Sequence, residues 1–258
     1  MQHELRKFLS AIQFFTRLPV PAWVGHAPQQ LESAARYLPL VGMLVGMLAA
    51  AALWLAAQFL PLTLAVALSM AAGILLTGAF HEDGLSDFAD GWGGGNDREK
   101  TLDIMKDSRV GAYGVIALVL ALLVKYQALL ALCGKHSLAY LAAALVAAHA
   151  ISRLMAASIM LTQRYARNDA SARASPAAGL DMAGFAVAAV AGVAALGILF
   201  AAGATVAAIA AAMAAALLVR AGLAWQFKKR LGGYTGDCLG ALQQLAEIAF
   251  YLGLLATI

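Results

Sequence analysis

Seven long apolar runs constrain this chain more than any other feature of its sequence. Each is close to the length of about 17–25 residues that a helix needs to cross the hydrocarbon core of a bilayer. Together they take up more than half of the chain, so no soluble domain of useful size is left outside them. The runs cover residues 38–60, 62–80, 111–132, 138–161, 183–204, 205–225 and 239–258.

The composition agrees with a membrane protein. Hydrophobic residues make up 62% of the chain and charged residues 12%, whereas soluble domains have about 45–50% and about 25%. The runs are continuous instead of alternating, which disfavours a β-barrel. They are rich in Ala and Gly, which let helices approach closely in lipid. The sequence therefore predicts an all-α, multi-pass transmembrane helical bundle of about seven spans, forming a single membrane domain over residues 1–258.

The distribution of Lys and Arg predicts the orientation of this bundle. With a cytoplasmic N-terminus and alternating spans, 14 of the 18 basic residues are cytoplasmic and only Lys135 lies in an outer loop. Such a bias is the usual signature of the cytoplasmic side. Lys125 and Arg220 lie inside runs and are expected to snorkel. A basic face beside anionic membrane lipid accounts for the net charge of +4, so we expect no nucleic acid partner.

The segment before the first run, residues 1–37, predicts an amphipathic helix. Five apolar side chains share one helical face, and charged or polar side chains lie away from it. Two interpretations stay open: a helix lying in the membrane interface, or a helix packed against the bundle. The apolar face consists of Leu5, Phe8, Leu9, Ile12 and Phe15.

An acidic segment, residues 81–110, follows the second run. It contains eight of the fourteen Asp and Glu residues. Asp83, Asp87 and Asp90 have the spacing of one helical face, and so do Asp103 and Asp107. Like charges at this spacing repel unless cations neutralise them, and carboxylates without a His/Cys cluster favour Mg²⁺ or Mn²⁺ over zinc. The alternative is a solvated acidic loop. The predicted metal ligands are Glu82, Asp83, Asp87, Asp90, Asp103 and Asp107.

Glycines and cations accompany these carboxylates. Gly93 and Gly94 belong to a glycine run that is expected to break the helix after Asp90 and to let the backbone approach a bulky anion. Lys106 and Arg109 are nearby cations suited to phosphate oxygens.

Three further polar residues each have two interpretations. Asp237, with Thr235 shaping its loop, either belongs to the site or is the N-cap of the last helix. Arg153, inside the fourth run, either lines an anion pocket or pairs with Glu247. His81 is either a general base or a structural residue at a helix end.

Residues 87–91 (Asp-x-x-Asp-Gly) and 103–107 resemble part of the signature of CDP-alcohol phosphotransferases, membrane enzymes that use four aspartates and a divalent metal. Gly-Gly-Gly stands where that family has Ala-Arg, and the two halves are closer together. The resemblance implies an alternative function, phosphotransfer to a lipid substrate. A transporter is a further alternative, but the acids lie at one membrane edge and no internal repeat is visible.

A second resemblance covers essentially the whole chain. Residues 80–91 and 104–114, together with 13–21 and 233–241, are similar to the motifs of the cobalamin synthase family, with Ser86 where that family often has Ala. The resemblance implies a Mg²⁺-dependent enzyme of the bacterial inner membrane, with its active site facing the cytoplasm. That family joins adenosylcobinamide-GDP to α-ribazole or its 5′-phosphate and releases GMP. Whether such a bundle forms a homo-oligomer is left open.

This function gives the candidate residues their roles. The catalytic candidates are Asp83, Asp87, Asp90 and His81. The substrate-binding candidates are Lys106, Arg109, Arg153, Asp237, Thr235, Gly93 and Gly94.

Overall fold

A computed structural model describes residues 2–25, 34–167 and 180–257 of the chain. Parts of the predicted N-terminal segment and the last residue of the final run lie outside these ranges. Within them the chain forms ten α-helices: α1 (Gln2–Phe15), α2 (Leu38–Ala56), α3 (Leu62–Thr77), α4 (Phe80–Gly94), α5 (Arg98–Ile104), α6 (Ala112–Lys135), α7 (Leu138–Thr162), α8 (Met182–Ala201), α9 (Val206–Leu231) and α10 (Gly236–Leu255).

The long helices confirm the predicted all-α, multi-pass class. In the described ranges, six helices are long and apolar enough to cross a membrane: α2, with the turn before it, and α6 to α10. The seventh candidate is the pair α3 and α4, which is bent by 87° at the short break between them. The predicted number of about seven spans is therefore confirmed, and the cytoplasmic N-terminus stays a prediction.

Helices α7 and α10 form the centre of the bundle. Their most apolar windows are 83% and 78% buried, against 17–28% for α6, α8 and α9. Helix α2 crosses α7 at very short range, because a Cβ on Gly42 would collide with the His149 carbonyl, and one on Gly46 would lie 2.7 Å from the Val146 Cα. Small residues thus let the backbones touch, as expected for helices packed in lipid.

Helix α1 packs against the bundle. Ala11, Ile12 and Phe15 belong to the hydrophobic core, whereas Leu5 near the start of the helix is 50% exposed. Of the two interpretations of the N-terminal segment, the structure favours bundle packing for the second half of this helix.

A sharp bend separates α3 from α4. Gly78 and Ala79 both have left-handed backbone conformations, with φ of 64° and 58°. Helix α4 ends within the predicted glycine run, but at Gly94 and not directly after Asp90. Its last turn is held by neighbouring groups: the Trp92 indole donates to Gln226 at 2.7 Å, and Arg230 donates to the Trp92 carbonyl at 2.8 Å.

Candidate active site at the crossing of α4 and α10

Three of the predicted carboxylates lie along α4 in the expected helical register. Asp83 is exposed, Asp87 is half-buried and Asp90 is 7% exposed. Asp87 also lies within electrostatic range of Asp237 on α10. The structure therefore gathers carboxylates from two helices around Asp87.

Two glycines explain this proximity. At the crossing of α4 and α10, a Cβ on Gly84 would lie 3.2 Å from the Cα atoms of both Asp237 and Gly240. The two backbones are in direct contact there, so the acidic face of α4 comes next to the first turn of α10.

The first turn of α10 decides between the two interpretations of Asp237. Its N-cap is Thr235, whose hydroxyl accepts a hydrogen bond from the Cys238 N–H at 3.3 Å. The same hydroxyl donates to Asp237 at 3.2 Å. The N-cap interpretation of Asp237 is therefore wrong, and its carboxylate is available to the site.

Arg167 faces this carboxylate. Its guanidinium donates to Asp237 at 2.9 Å and lies within electrostatic range of Asp87. The chain before it is held by two backbone hydrogen bonds, from Ala166 to the Tyr234 carbonyl at 2.7 Å and from Tyr234 to the Arg164 carbonyl at 3.0 Å. Arg167 is not among the predicted site residues, because in the sequence it stands out only as one cation of a basic loop.

Asp90 anchors α4 to α6. Its two carboxylate oxygens accept hydrogen bonds from the backbone N–H groups of Gly111 and Gly114, at 2.7 and 2.9 Å. These donors lie at the start of α6, where a carboxylate is favoured because helical N–H groups have no partner.

The segment with Asp107 is arranged differently from the expectation. Helix α5 ends at Ile104, so Asp103 and Asp107 do not share a helical face as predicted. Arg109 donates to Asp107 at 2.6 Å, and this bond lowers the pKa of the Asp107 carboxyl to about 2. The Arg109 side chain is 87% exposed, so the pair lies in solvent.

The remaining predicted ligands and glycines are not gathered at one point. Among the residues that the structure describes, no three His, Cys, Asp or Glu side chains lie close enough to hold one metal ion. Tyr113 packs over Gly93, and the Ile104 side chain lies against Gly94. Lys106 is exposed, and Glu82 is buried with a hydrogen bond from Gln244 at 2.9 Å. The roles of these residues stay predictions.

A buried polar network lies deeper in the bundle. Glu247 is fully buried and pairs with the Lys125 ammonium at 2.5 Å. It also accepts hydrogen bonds from Gln243 at 2.8 Å and Tyr251 at 3.2 Å. Lys125 therefore does not snorkel as expected, because its charge is neutralised inside the protein.

Arg153 borders this network. It is 1% exposed and donates to the His149 carbonyl at 3.0 Å. His149 in turn lies 3.6 Å from Glu247. The described contacts therefore contain no direct pair between Arg153 and Glu247, and the anion-pocket alternative stays a prediction. His81 is buried beside this region.

The N-terminal motif, residues 13–21, contacts the chain where α3 bends into α4. The N–H of Arg17, which follows α1, donates to the Leu76 carbonyl at 2.7 Å, and Phe15 makes an edge contact with Phe80. The described bundle and its site define a multi-pass membrane protein with carboxylates and an arginine gathered at the crossing of two helices.

Comparison with known proteins identifies the family. The model of the cobalamin-5-phosphate synthase family matches residues 7–255, and the chain belongs to this family. It is 48% identical to the adenosylcobinamide-GDP ribazoletransferase of Leptothrix cholodnii, over 98% of this chain and 96% of that protein. The transferases of the same name from Shewanella frigidimarina and Ralstonia nicotianae are 44% and 48% identical, over 98% and 99% of this chain and 95% and 97% of theirs. No solved structure matches the chain. The predicted family is confirmed.

Proposed function

We propose that this protein is a transferase that joins adenosylcobinamide-GDP to α-ribazole or its 5′-phosphate and releases GMP. Relatives named for this transfer match nearly the full chain. The observation that carries the proposal is the site itself, in which Arg167 faces the carboxylates of Asp87 and Asp237. An arginine beside several carboxylates suits a substrate that is a diphosphate accompanied by a metal cation.

Mg²⁺ fits the residues present. The donors around Asp87 are carboxylate oxygens, which Mg²⁺ prefers, and clustered like charges favour a bound cation. Mg²⁺ is usually held by one or two carboxylates together with substrate phosphates, so a cage of three protein ligands is not required. Asp87 would hold it together with one of its neighbours Asp83 and Asp237, with Asp90 adjoining, and the substrate phosphates would supply further ligands. When bound, the ion would neutralise charge that develops on the phosphate oxygens.

The residues of the chain then position the reactants. Arg167 binds non-bridging oxygens of the diphosphate. A ribose hydroxyl of ribazole forms a bond to the phosphorus attached to the cobinamide arm, the bond from this phosphorus to the bridging oxygen breaks, and GMP leaves with the electron pair. A carboxylate of the site accepts the hydroxyl proton. Phosphoryl transfer depends mainly on such positioning and charge stabilisation.

The location of the protein follows from the same proposal. The basic loops predict that the site faces the cytoplasm, and the family resemblance implies the bacterial inner membrane. Membrane lipid would then surround the apolar helices. Self-association stays a prediction.

The proposed function is tested with purified protein in detergent, without a sealed compartment. Given both substrates and Mg²⁺, we expect the cobalamin product and GMP in equal amounts, and no product after chelation of the metal. Release of GMP without ribazole, or product formation that survives complete chelation, would contradict the proposal. A transporter would form no product under these conditions.

Arg167 provides a second test. Arg167→Ala is expected to lower kcat/KM for the diphosphate substrate by about 10–100-fold, the scale of a hydrogen bond to a charged group. Arg164→Ala is the matched control, because Arg164 is exposed on the same segment and contributes only its backbone to the contacts described. Steady-state kinetics of both variants measure the effect, and an equal loss in the two would contradict a phosphate-binding role for Arg167.

A further inference from the structure

A cavity beside the crossing of α4 and α10 is lined by aromatic and polar side chains. It lies between α1, α2, α4, α7 and α10 and has a volume of about 70 Å³. Its walls include Phe14, Phe15 and Phe80, and its polar lining consists of His81, Arg153 and Gln243. The reaction steps above use none of the three phenylalanines.

Arg153, one of the residues that line the cavity, has an unused hydrogen-bond donor. Arg153 is 1% exposed, and its Nε atom is buried with no hydrogen-bond partner within the described parts of the chain. An unpaired buried donor is unfavourable, and more so when the group is charged. A ligand with an acceptor atom at this point would satisfy it.

The walls suit a flat ring. Phe14 and Phe15 both make edge-to-face contacts with Phe80, at centroid distances of 5.8 and 6.0 Å. Phe14 and Phe80 are 37% and 41% exposed, whereas Phe15 is buried, so the cavity opens beside the first two. Aromatic side chains bind other rings in stacked or edge-on arrangements.

The position of the cavity relates it to the transfer site. Gly240 and His81 line it, and they also form the contact of α10 with α4, where a Cβ on Gly240 would lie 3.1 Å from the Gly84 Cα and from the His81 carbonyl. Gly236, one residue before Asp237, lines it as well. A molecule in the cavity therefore lies against the crossing of α4 and α10, the two helices that carry these carboxylates.

We propose that this cavity is the subsite for the azole base of ribazole, an inference that rests on the proposed function. The edge of the base that carries the ring nitrogen enters the small cavity, and this nitrogen accepts a hydrogen bond from Arg153 Nε. The ring faces lie against Phe14 and Phe80 at the mouth. The ribose then extends toward Asp237 and Asp87.

Two other occupants fit the cavity less well. A lipid acyl chain suits the apolar walls but leaves the Arg153 donor unpaired. A phosphate group would pair with Arg153, but its charge would be buried against phenylalanine rings. A neutral ring with one acceptor atom can pack against the phenylalanines and also accept the hydrogen bond from Arg153.

Filling the cavity tests the proposal. Ala156 lines it, so Ala156→Leu is expected to raise KM for α-ribazole at least about tenfold and to leave KM for adenosylcobinamide-GDP unchanged. Ala51→Leu, at an exposed position on α2, is the matched control. An unchanged KM for α-ribazole in the Ala156 variant, or an equal rise for both substrates, would overturn the assignment.

Binding of free rings separates this proposal from the proposed function. Benzimidazole is expected to stabilise the wild-type protein against thermal unfolding, with a smaller shift for Ala156→Leu. Indene, which has the same shape without ring nitrogens, is expected to bind at least about tenfold more weakly because it leaves Arg153 unpaired. Equal binding of the two probes, or equal shifts in both proteins, would overturn the base subsite. These measurements need no turnover, so they decide the assignment even if the transferase assay fails.

Discussion

Asp87→Asn is expected to lower kcat/KM by at least about 100-fold, the scale of losing one preorganised electrostatic contact at a reacting centre. The substitution keeps the size of the side chain and removes its charge. Asp87 is half-buried and lies within electrostatic range of Asp83, Asp90 and Asp237. It is therefore the carboxylate around which a cation and a diphosphate would be held.

Stability measurements distinguish this effect from unfolding. Because Asp87 is surrounded by like charges, the Asn variant is expected to unfold at the same or a higher temperature than the wild type without Mg²⁺, and to show a smaller stabilisation when Mg²⁺ is added. Glu99→Gln, an exposed position in the first turn of α5, is the control for loss of one negative charge. Wild-type turnover in the Asp87 variant would remove Asp87 from the site.

Glu247→Ala is expected to destabilise the protein by about 3–5 kcal/mol, because it leaves the buried Lys125 ammonium without its partner. Both side chains are buried, and their atoms lie 2.5 Å apart. The free energy of unfolding in mild detergent measures the loss. Replacing both residues, Lys125→Met with Glu247→Leu, is expected to recover most of it, since the Lys125 ammonium is then no longer buried without its partner.

An exposed ion pair provides the comparison. Glu4 on α1 accepts a hydrogen bond from Lys7 at 2.6 Å, and the Glu4 side chain is 51% exposed. Glu4→Ala is expected to change stability by less than about 1 kcal/mol, because water screens such pairs. A similar loss in the Glu4 and Glu247 variants would show that burial is not the reason for the effect.

Part of the site was predictable from the sequence. The spacing of Asp83, Asp87 and Asp90 predicted a common helical face, and α4 carries them in this register. The prediction needed only the period of a helix. The same reasoning failed for Asp103 and Asp107, because helix ends depend on local capping and packing, and α5 ends at Ile104 between the two.

Other parts required the packed structure. Arg167 and Asp237 are 70 residues apart in the sequence, and the close crossing at Gly84 and Gly240 brings Asp237 next to α4. The pairing of Lys125 with Glu247 also required the packed structure. The two residues lie in different helices, and nothing in the sequence around either one indicates the other as its partner.

The sequence by itself determined the membrane class, the number of apolar helices and the family. It did so because a helix in lipid satisfies its backbone hydrogen bonds internally, so each span is encoded by its own composition. Only the tertiary structure decided that the chain bends at Gly78 and Ala79 and that Arg167 lies opposite Asp237. It also decided that Arg153, with its buried donor, lies beside three phenylalanines. These depend on how separate helices pack, and side-chain contacts between helices follow no short-range period in the sequence.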